Sequence, residues 1–182
     1  MDIYTYVEEA KKTESIKQPL KELVVEDTGL TNRMLHSIMG IVTESTEIMA
    51  AARANDRVNF LEECGDTFWY LAILADELDI VSELENIDDF EPAVKERTDL
   101  LDVCKKALFY GSKVNLDVFK LETIKMYKGI CSSVEINGGD VETVQLTNIK
   151  KLKARYPDKF TDRDAENRDL TKEREILEDG LN

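Results

Sequence analysis

Proline and glycine are scarce in this chain, which has three prolines and eight glycines among its 182 residues. Because both residue types interrupt regular structure, their scarcity leaves few obvious breaks along the sequence. Apolar residues recur mostly at helical spacing, whereas β-branched residues rarely alternate with polar ones as they would in strands. The sequence therefore predicts an all-α protein, and its length suits a single domain over residues 1–182.

Cysteine and histidine are rare as well. Cys64, Cys104 and Cys131 are widely spaced and odd in number, which indicates neither a disulfide framework nor a zinc site. We expect these cysteines to be reduced and buried. The single histidine, His36, does not lie three residues after a glutamate, so the Glu-x-x-His pairs of a di-iron bundle are missing.

Long apolar runs and an excess of basic residues are also absent. No run approaches the 18 apolar residues of a membrane span, and residues 1–12 lack the layout of a secretion signal, so we expect a cytoplasmic protein without a membrane partner. The net charge of −14 disfavours binding to duplex nucleic acid, which relies on Lys and Arg. An acidic chain can still bind a phosphate-bearing ligand when a divalent cation bridges the two.

Apolar periodicity predicts two long consecutive helices in the first half of the chain. Thr31 or Asn32 can cap the first, and Asn55 or Asp56 can cap the second, after the interruption at "RAND". Further helices are predicted near residues 2–16, 94–110, 117–135 and 139–154. Residues 139–182 comprise the last of these and a charged tail with the pattern of one more helix, which could dock on a partner.

Four carboxylates are placed symmetrically about the predicted turn at Asn55. Glu47 and Glu63 lie eight residues before and after it, and Glu44 and Asp66 lie eleven residues before and after it. In an antiparallel helix pair, these positions share two levels, roughly 12 and 16 Å from the turn. Since packed helix axes lie about 8–10 Å apart, the four side chains could converge. Unneutralised, they would repel one another, and Mg²⁺ or Mn²⁺ would remove that conflict.

The neighbours of these acids favour a site over a solvated acidic face, which is the alternative. Within the helix pair of residues 30–82, the acids stand among large apolar side chains. Gly65 costs a helix interior about 1 kcal/mol relative to Ala, so we expect another helix or a ligand to approach closely there. Glu62 points about 100° away from Glu63 and is expected to be exposed or to support the ligands.

A weak internal repeat is visible downstream. "DRVNFLEECGDTFWYLAIL" aligns with "SKVNLDVFKLETIKMYKGI", which matches the Val-Asn pairs at 58–59 and 114–115. A duplication predicts a degenerate second helix pair over residues 94–136, and chance similarity between amphipathic helices is the alternative. At this offset of 56, the four acids are replaced in the second copy by Leu100, Val103, Phe119 and Glu122.

The segments "LHSIMGIVTESTEI" and "VNFLEECGDTFWYLAILADEL" resemble the MazG-like all-α nucleoside triphosphate pyrophosphohydrolases. The signature of that family is E-E-x-x-E followed by E-x-x-D. This chain reads "TESTE", with Thr43 in place of the leading Glu, and "ECGD". Residues 148–178 are similar to the C-terminal segment of bacterial and phage members. Residues 105–115 are similar to a segment that joins the two acidic helices in many relatives, but here they follow both helices.

The resemblance implies an antiparallel helical bundle that cleaves (deoxy)nucleoside triphosphates between the α and β phosphates. Mg²⁺, with Mn²⁺ as a possible substitute, would bind Glu44, Glu47, Glu63 and Asp66, and either Glu44 or Glu47 would activate water. The resemblance also implies a homodimer or homotetramer in a bacterial or phage-infected cytoplasm. An inactive nucleotide-binding or protein-interaction module and a purely structural adaptor are the alternatives.

Substrate contacts need further side chains. Cations are required for the leaving pyrophosphate, and the candidates are Lys113, Lys151, Lys153 and Arg155. Asn59, one turn before Glu63, can bond the sugar or base. Trp69 and Tyr70 can stack on a base or fill the core, and Tyr156 can bind substrate or pack the tail. We expect a structural role for His36, which lies eight residues before Glu44.

Overall fold

The computed structural model describes residues 1–15, 28–85 and 99–181. In these ranges every regular element is a helix, which confirms the all-α prediction. The helices are α1 (Ile3–Lys12), α2 (Asn32–Ala54), α3 (Arg57–Leu78), α4 (Val81–Glu85), α5 (Leu100–Tyr110), α6 (Leu116–Ile136), α7 (Val141–Arg155), α8 (Asp162–Glu166) and α9 (Leu170–Leu181). The start of the helix predicted near 94–110 and the end of the one near 2–16 lie outside the described residues. Within the same ranges no helix combines the length and apolar character needed to cross a membrane.

The predicted helix pair is α2 and α3, and its ends follow the local signals in the sequence. Thr31 caps α2, with its side chain accepting a hydrogen bond from the backbone N–H of Met34. The helix ends at Asn55, whose left-handed backbone (φ 52°) turns the chain. Asp56 then caps α3 by accepting from the N–H of Asn59. α2 and α3 share the most extensive helix contact in the described chain, so the predicted hairpin is confirmed.

α3 is the central helix of the fold. It contacts α1, α2, α6, α7 and α9, and the residues from Leu71 to Ala75 are fully buried. Buried apolar side chains form one cluster that runs from Ile3 to Leu181. Cys64 and Cys104 belong to this cluster, whereas Cys131 is half-buried, and none of the three is in a disulfide. The acidic positions of α3 are therefore held on a rigid support.

Small residues allow α7 to pack closely against its neighbours. A methyl group at Gly65 of α3 would lie 3.2 Å from Cβ of Asn148, so the predicted close approach of another helix at this glycine is confirmed. At the preceding residue of α7, a methyl group at Gly180 of α9 would clash with Oγ1 of Thr147. The tail thus forms a helix that docks on α7 of its own chain.

The two helices of the suspected repeat pack differently from α2 and α3. α5 contacts α2 and α6 contacts α3, while any contact between the described residues of α5 and α6 is marginal. Glu122, the counterpart of Asp66, is buried and accepts a hydrogen bond of 2.9 Å from Lys125. The duplication over residues 94–136 stays a prediction.

Arg57 at the start of α3 links the ends of α6 and α9 and should stabilise the fold. Its guanidinium donates to the carbonyls of Asn137, Gly138 and Leu181, at 3.0, 2.7 and 2.5 Å. Because each bond satisfies a carbonyl beyond the end of α6 or in the last turn of α9, Arg57→Ala should lower the free energy of unfolding by about 1–2 kcal/mol. Urea denaturation measures this loss. Arg53→Ala, at the exposed end of α2, is the control and should change stability by less than about 0.5 kcal/mol.

Candidate metal and ligand site

A cavity of about 520 Å³ opens beside α2, α3, α7 and the segment that precedes α9. All four carboxylates singled out in the sequence line it: Glu44, Glu47, Glu63 and Asp66. Side chains from residues far apart in sequence share the same space, including Thr13 in the turn after α1 and Arg168 before α9. Glu62 lines the cavity as well, so the symmetry about Asn55 predicted four of the five acids that face it.

Three of the four acids converge. One carboxylate oxygen from each of Glu44, Glu63 and Asp66 lies within 4.8 Å of the others. Glu63 is buried, while Glu44 and Asp66 are half-buried. Glu47 is exposed and lies on the cavity wall outside this group. Three of the four predicted carboxylates therefore converge, while the fourth, Glu47, is exposed on the wall of the same cavity.

The triad carries an electrostatic conflict. Burial, followed by the charges of Asp66 and Glu62, raises the pKa of Glu63 to about 9. Burial, followed by the charges of Asp66 and Glu47, raises the pKa of Glu44 to about 7. At neutral pH the site must therefore hold a proton or bind a cation.

A buried lysine behind the cavity binds the third acid. Nζ of Lys151 lies 2.8 and 2.7 Å from the two carboxylate oxygens of Asp66 and 3.1 Å from Glu62. Only 1% of the Lys151 surface is exposed. Asn148, one turn earlier on α7, donates Nδ2 to Asp66 at 2.6 Å. Burial lowers the pKa of Lys151, but Asp66 and Glu62 outweigh it and hold that pKa above its ordinary value. Glu62 therefore supports the ligands through Lys151.

The donor set fits a hard divalent cation. Mg²⁺ and Mn²⁺ prefer carboxylate oxygens, and the triad supplies three such groups close enough to share one ion. The pKa of Glu63 is raised further than that of Glu44, and the open cavity gives any ion access from solvent. Lys151 neutralises part of the charge of Asp66 but does not line the cavity, so the triad keeps a net negative charge toward the opening.

Three aromatic rings form another wall of the cavity. The ring centroids of His36 and Tyr70 lie 5.5 Å apart and those of Trp69 and Tyr70 5.0 Å apart, both edge to face. Trp69 donates Nε1 to Oγ1 of Thr13 at 2.9 Å, which fixes its ring. A methyl group at Gly40 would lie 2.2 Å from the Tyr70 ring, so only glycine leaves room for it. His36 packs as expected and also lines the cavity, and burial lowers its pKa.

The predicted substrate residues divide into two groups. Asn59, Arg155 and Tyr156 line the cavity, and Tyr156 packs on the ring of Phe160. Lys113, Lys151 and Lys153 do not line it. Lys113 is exposed between α5 and α6, Lys151 is buried in its ion pairs, and Lys153 pairs with Glu9 on α1. The structure therefore leaves Arg155 as the one predicted cation on the cavity wall.

Sequence reasoning missed Asn148, Arg168 and Glu173. A signal for the first existed: Asn148, Lys151 and Arg155 are spaced by three and four residues, which places them on one face of α7. Arg168 and Glu173 reach the site only through the docking of the C-terminal helix, for which the local pattern carries no signal.

The interpretation of this site rests on the positions of its carboxylates and of the other side chains around the cavity. The resemblance to MazG-like enzymes is a resemblance of short motifs around Glu44 and Glu63 and in residues 148–178. No protein-family model matches this chain, and no curated protein or solved structure matches it either.

Proposed function

We propose that this protein is a Mg²⁺-dependent nucleoside triphosphate pyrophosphohydrolase that releases a nucleoside monophosphate and pyrophosphate. The observation that carries the proposal is the convergence of Glu44, Glu63 and Asp66 within 4.8 Å in a cavity of about 520 Å³. That cavity also offers an arginine and an aromatic wall, which suit phosphates and a base. The acidic wall alone would repel a polyphosphate. A divalent cation bound between the carboxylates and the phosphates removes that repulsion.

Glu44, Glu63 and Asp66 would hold the cation, which supplies neutralisation of the charge that develops on the phosphate oxygens. Glu47 lies on the cavity wall outside this triad, so it is the carboxylate that can orient the attacking water and accept its proton. Water adds to one phosphorus of the α–β anhydride. The bridging oxygen leaves with the bonding electrons, and the products are a monophosphate and pyrophosphate.

Substrate binding falls to the remaining walls of the cavity. Arg155, whose side chain is 14% exposed, can donate to phosphate oxygens in a planar pair of hydrogen bonds. The edge-to-face cluster at His36, Trp69 and Tyr70 offers aromatic surface for a base. Asn59 brings an amide beside Glu63, within reach of the same space.

Pyrophosphate release from a panel of ribo- and deoxynucleoside triphosphates tests the proposal directly. With Mg²⁺ or Mn²⁺ we expect equimolar monophosphate and pyrophosphate from one or a few bases, and with EDTA we expect none. Folding is checked by circular dichroism in the same buffers. A folded protein that releases no pyrophosphate from any nucleotide would contradict the enzyme and favour an inactive nucleotide-binding module.

A further inference from the structure

Two arginines from separate parts of the chain meet on one buried carboxylate at the cavity wall. Arg155 of α7 donates Nε and Nη2 to the two oxygens of Glu173 at 2.9 and 2.6 Å. Arg168, in the segment before α9, donates Nη2 to the same carboxylate at 2.6 Å. Both arginines line the cavity, and Glu173 is 4% exposed in the first turn of α9.

The charge and the donors of this cluster exceed what the ion pair needs. Two guanidiniums against one carboxylate leave a net charge of about +1, and fixing α9 would require only one arginine. Arg155 and Arg168 bind Glu173 through Nε and Nη2, so their Nη1 groups lie outside these contacts. Arg168 is 41% exposed and Arg155 14% exposed, so both can reach a ligand.

The cluster is held in place by packing as well as by charge. Leu177 and Leu181 of α9 are buried, and Gly180 lies tightly against Thr147 of α7. Burial raises the pKa of Glu173, but the hydrogen bonds from both arginines outweigh it and bring that pKa to about 2. Glu173 therefore stays ionised, and the geometry of the two arginines is fixed before any ligand binds.

We infer that Arg168 and Arg155 together form an anion-binding subsite for the terminal phosphates of the ligand, with Glu173 as the positioning residue that aligns them. The identity of the ligand rests on the proposed function, whereas the anion subsite rests on the cluster itself. A planar, rigid guanidinium pair suits the adjacent phosphates of a diphosphate better than a single charge does. The C-terminal helix thereby completes the site that the acids of α2 and α3 begin.

Calorimetric titration of the full chain with inorganic pyrophosphate and Mg²⁺ tests the subsite without turnover. Arg168→Gln should weaken pyrophosphate binding about tenfold, the loss of one charge-assisted hydrogen bond. Arg163→Gln is the matched control, since Arg163 is an exposed arginine of the neighbouring α8 that does not line the cavity, and it should bind like the wild type. Unchanged binding in Arg168→Gln, or no binding by the wild type, would overturn the subsite.

Glu173→Gln separates alignment from net charge. If Glu173 only reduced the positive charge, its neutralisation would tighten pyrophosphate binding. Since we assign it the alignment of both arginines, we expect weaker binding instead, by about three- to tenfold, whereas Glu175→Gln on the exposed side of α9 should have no effect. Tighter binding in Glu173→Gln would refute the positioning role.

Failure of this inference and failure of the proposed function give different results. An active enzyme in which Arg168→Gln binds pyrophosphate normally would refute the subsite and leave the reaction intact. A chain that binds pyrophosphate through Arg168 but never releases it from nucleotides would support the subsite and refute the reaction.

Discussion

Glu63→Gln should reduce pyrophosphate release by at least about a hundredfold while making the metal-free protein more stable. Glu63 is the buried member of the triad, and its amide replacement keeps the shape while removing a charge and a metal-binding oxygen. A mutation that harms a structural residue lowers stability and activity together. A mutation that removes charge repulsion from a metal site lowers activity without lowering stability.

The pH dependence follows from the direction of the pKa shifts. Glu44 and Glu63 have folded pKa values of about 7 and about 9, above the ordinary 4.5. Between pH 4.5 and about 9 the folded state therefore binds more protons than the unfolded state. The metal-free protein should lose stability as the pH rises through this window. At pH 8, Glu63→Gln should unfold with a free energy higher than wild type by about 1–3 kcal/mol.

Urea titrations with EDTA and with saturating Mg²⁺ measure both effects. The wild type should gain stability on addition of Mg²⁺, by an amount that grows with the metal concentration, and Glu63→Gln should gain little. Asp66→Asn should also lose turnover. Glu135→Gln, an exposed acid of α6, is the control and should match the wild type in every condition. Full activity in Glu63→Gln would exclude the triad as the reaction centre.

Local signals accounted for the parts of the fold that depend on neighbouring residues. Thr31, Asn55 and Asp56 were predictable as helix ends because capping and left-handed turns depend on the side chain at that position. The convergence of Glu44 and Asp66 followed from their equal distance of eleven residues to the turn. Within a helix hairpin, spacing along the chain converts directly into position in space.

Contacts between elements distant in sequence were beyond such signals. Lys151 reads as a solvated charge in an amphipathic helix, and only the packing of α7 against Gly65 buries it beside Asp66. His36 lines the cavity beside Tyr70, and residue spacing along the chain does not predict this contact between their rings. Arg168 enters the site because α9 folds back onto α7. The sequence shows which residues carry a charge, but it does not show which residues they pair with.

Lys151→Met should be the most destabilising single change at this site. Methionine keeps most of the volume of the side chain but leaves Asp66 and Glu62 without the cation that contacts both at 2.7 and 3.1 Å. Breaking a buried ion pair from one side costs about 3–5 kcal/mol, a large fraction of the stability of a domain. Urea unfolding in EDTA measures the loss, and Mg²⁺ should restore part of it by taking over the neutralisation of Asp66.

Two comparisons isolate the buried charge as the cause. Lys153→Met, two residues further along α7 and 53% exposed in its pair with Glu9, should cost less than about 1 kcal/mol. The double variant Lys151→Met/Asp66→Asn should be more stable in EDTA than Lys151→Met alone, because it also removes the charge left unpaired, and the coupling should reach about 1–3 kcal/mol. Equal stability of the Lys151 and Lys153 variants would show that Asp66 needs no cation behind it. The triad would then have to be neutralised entirely from the cavity side.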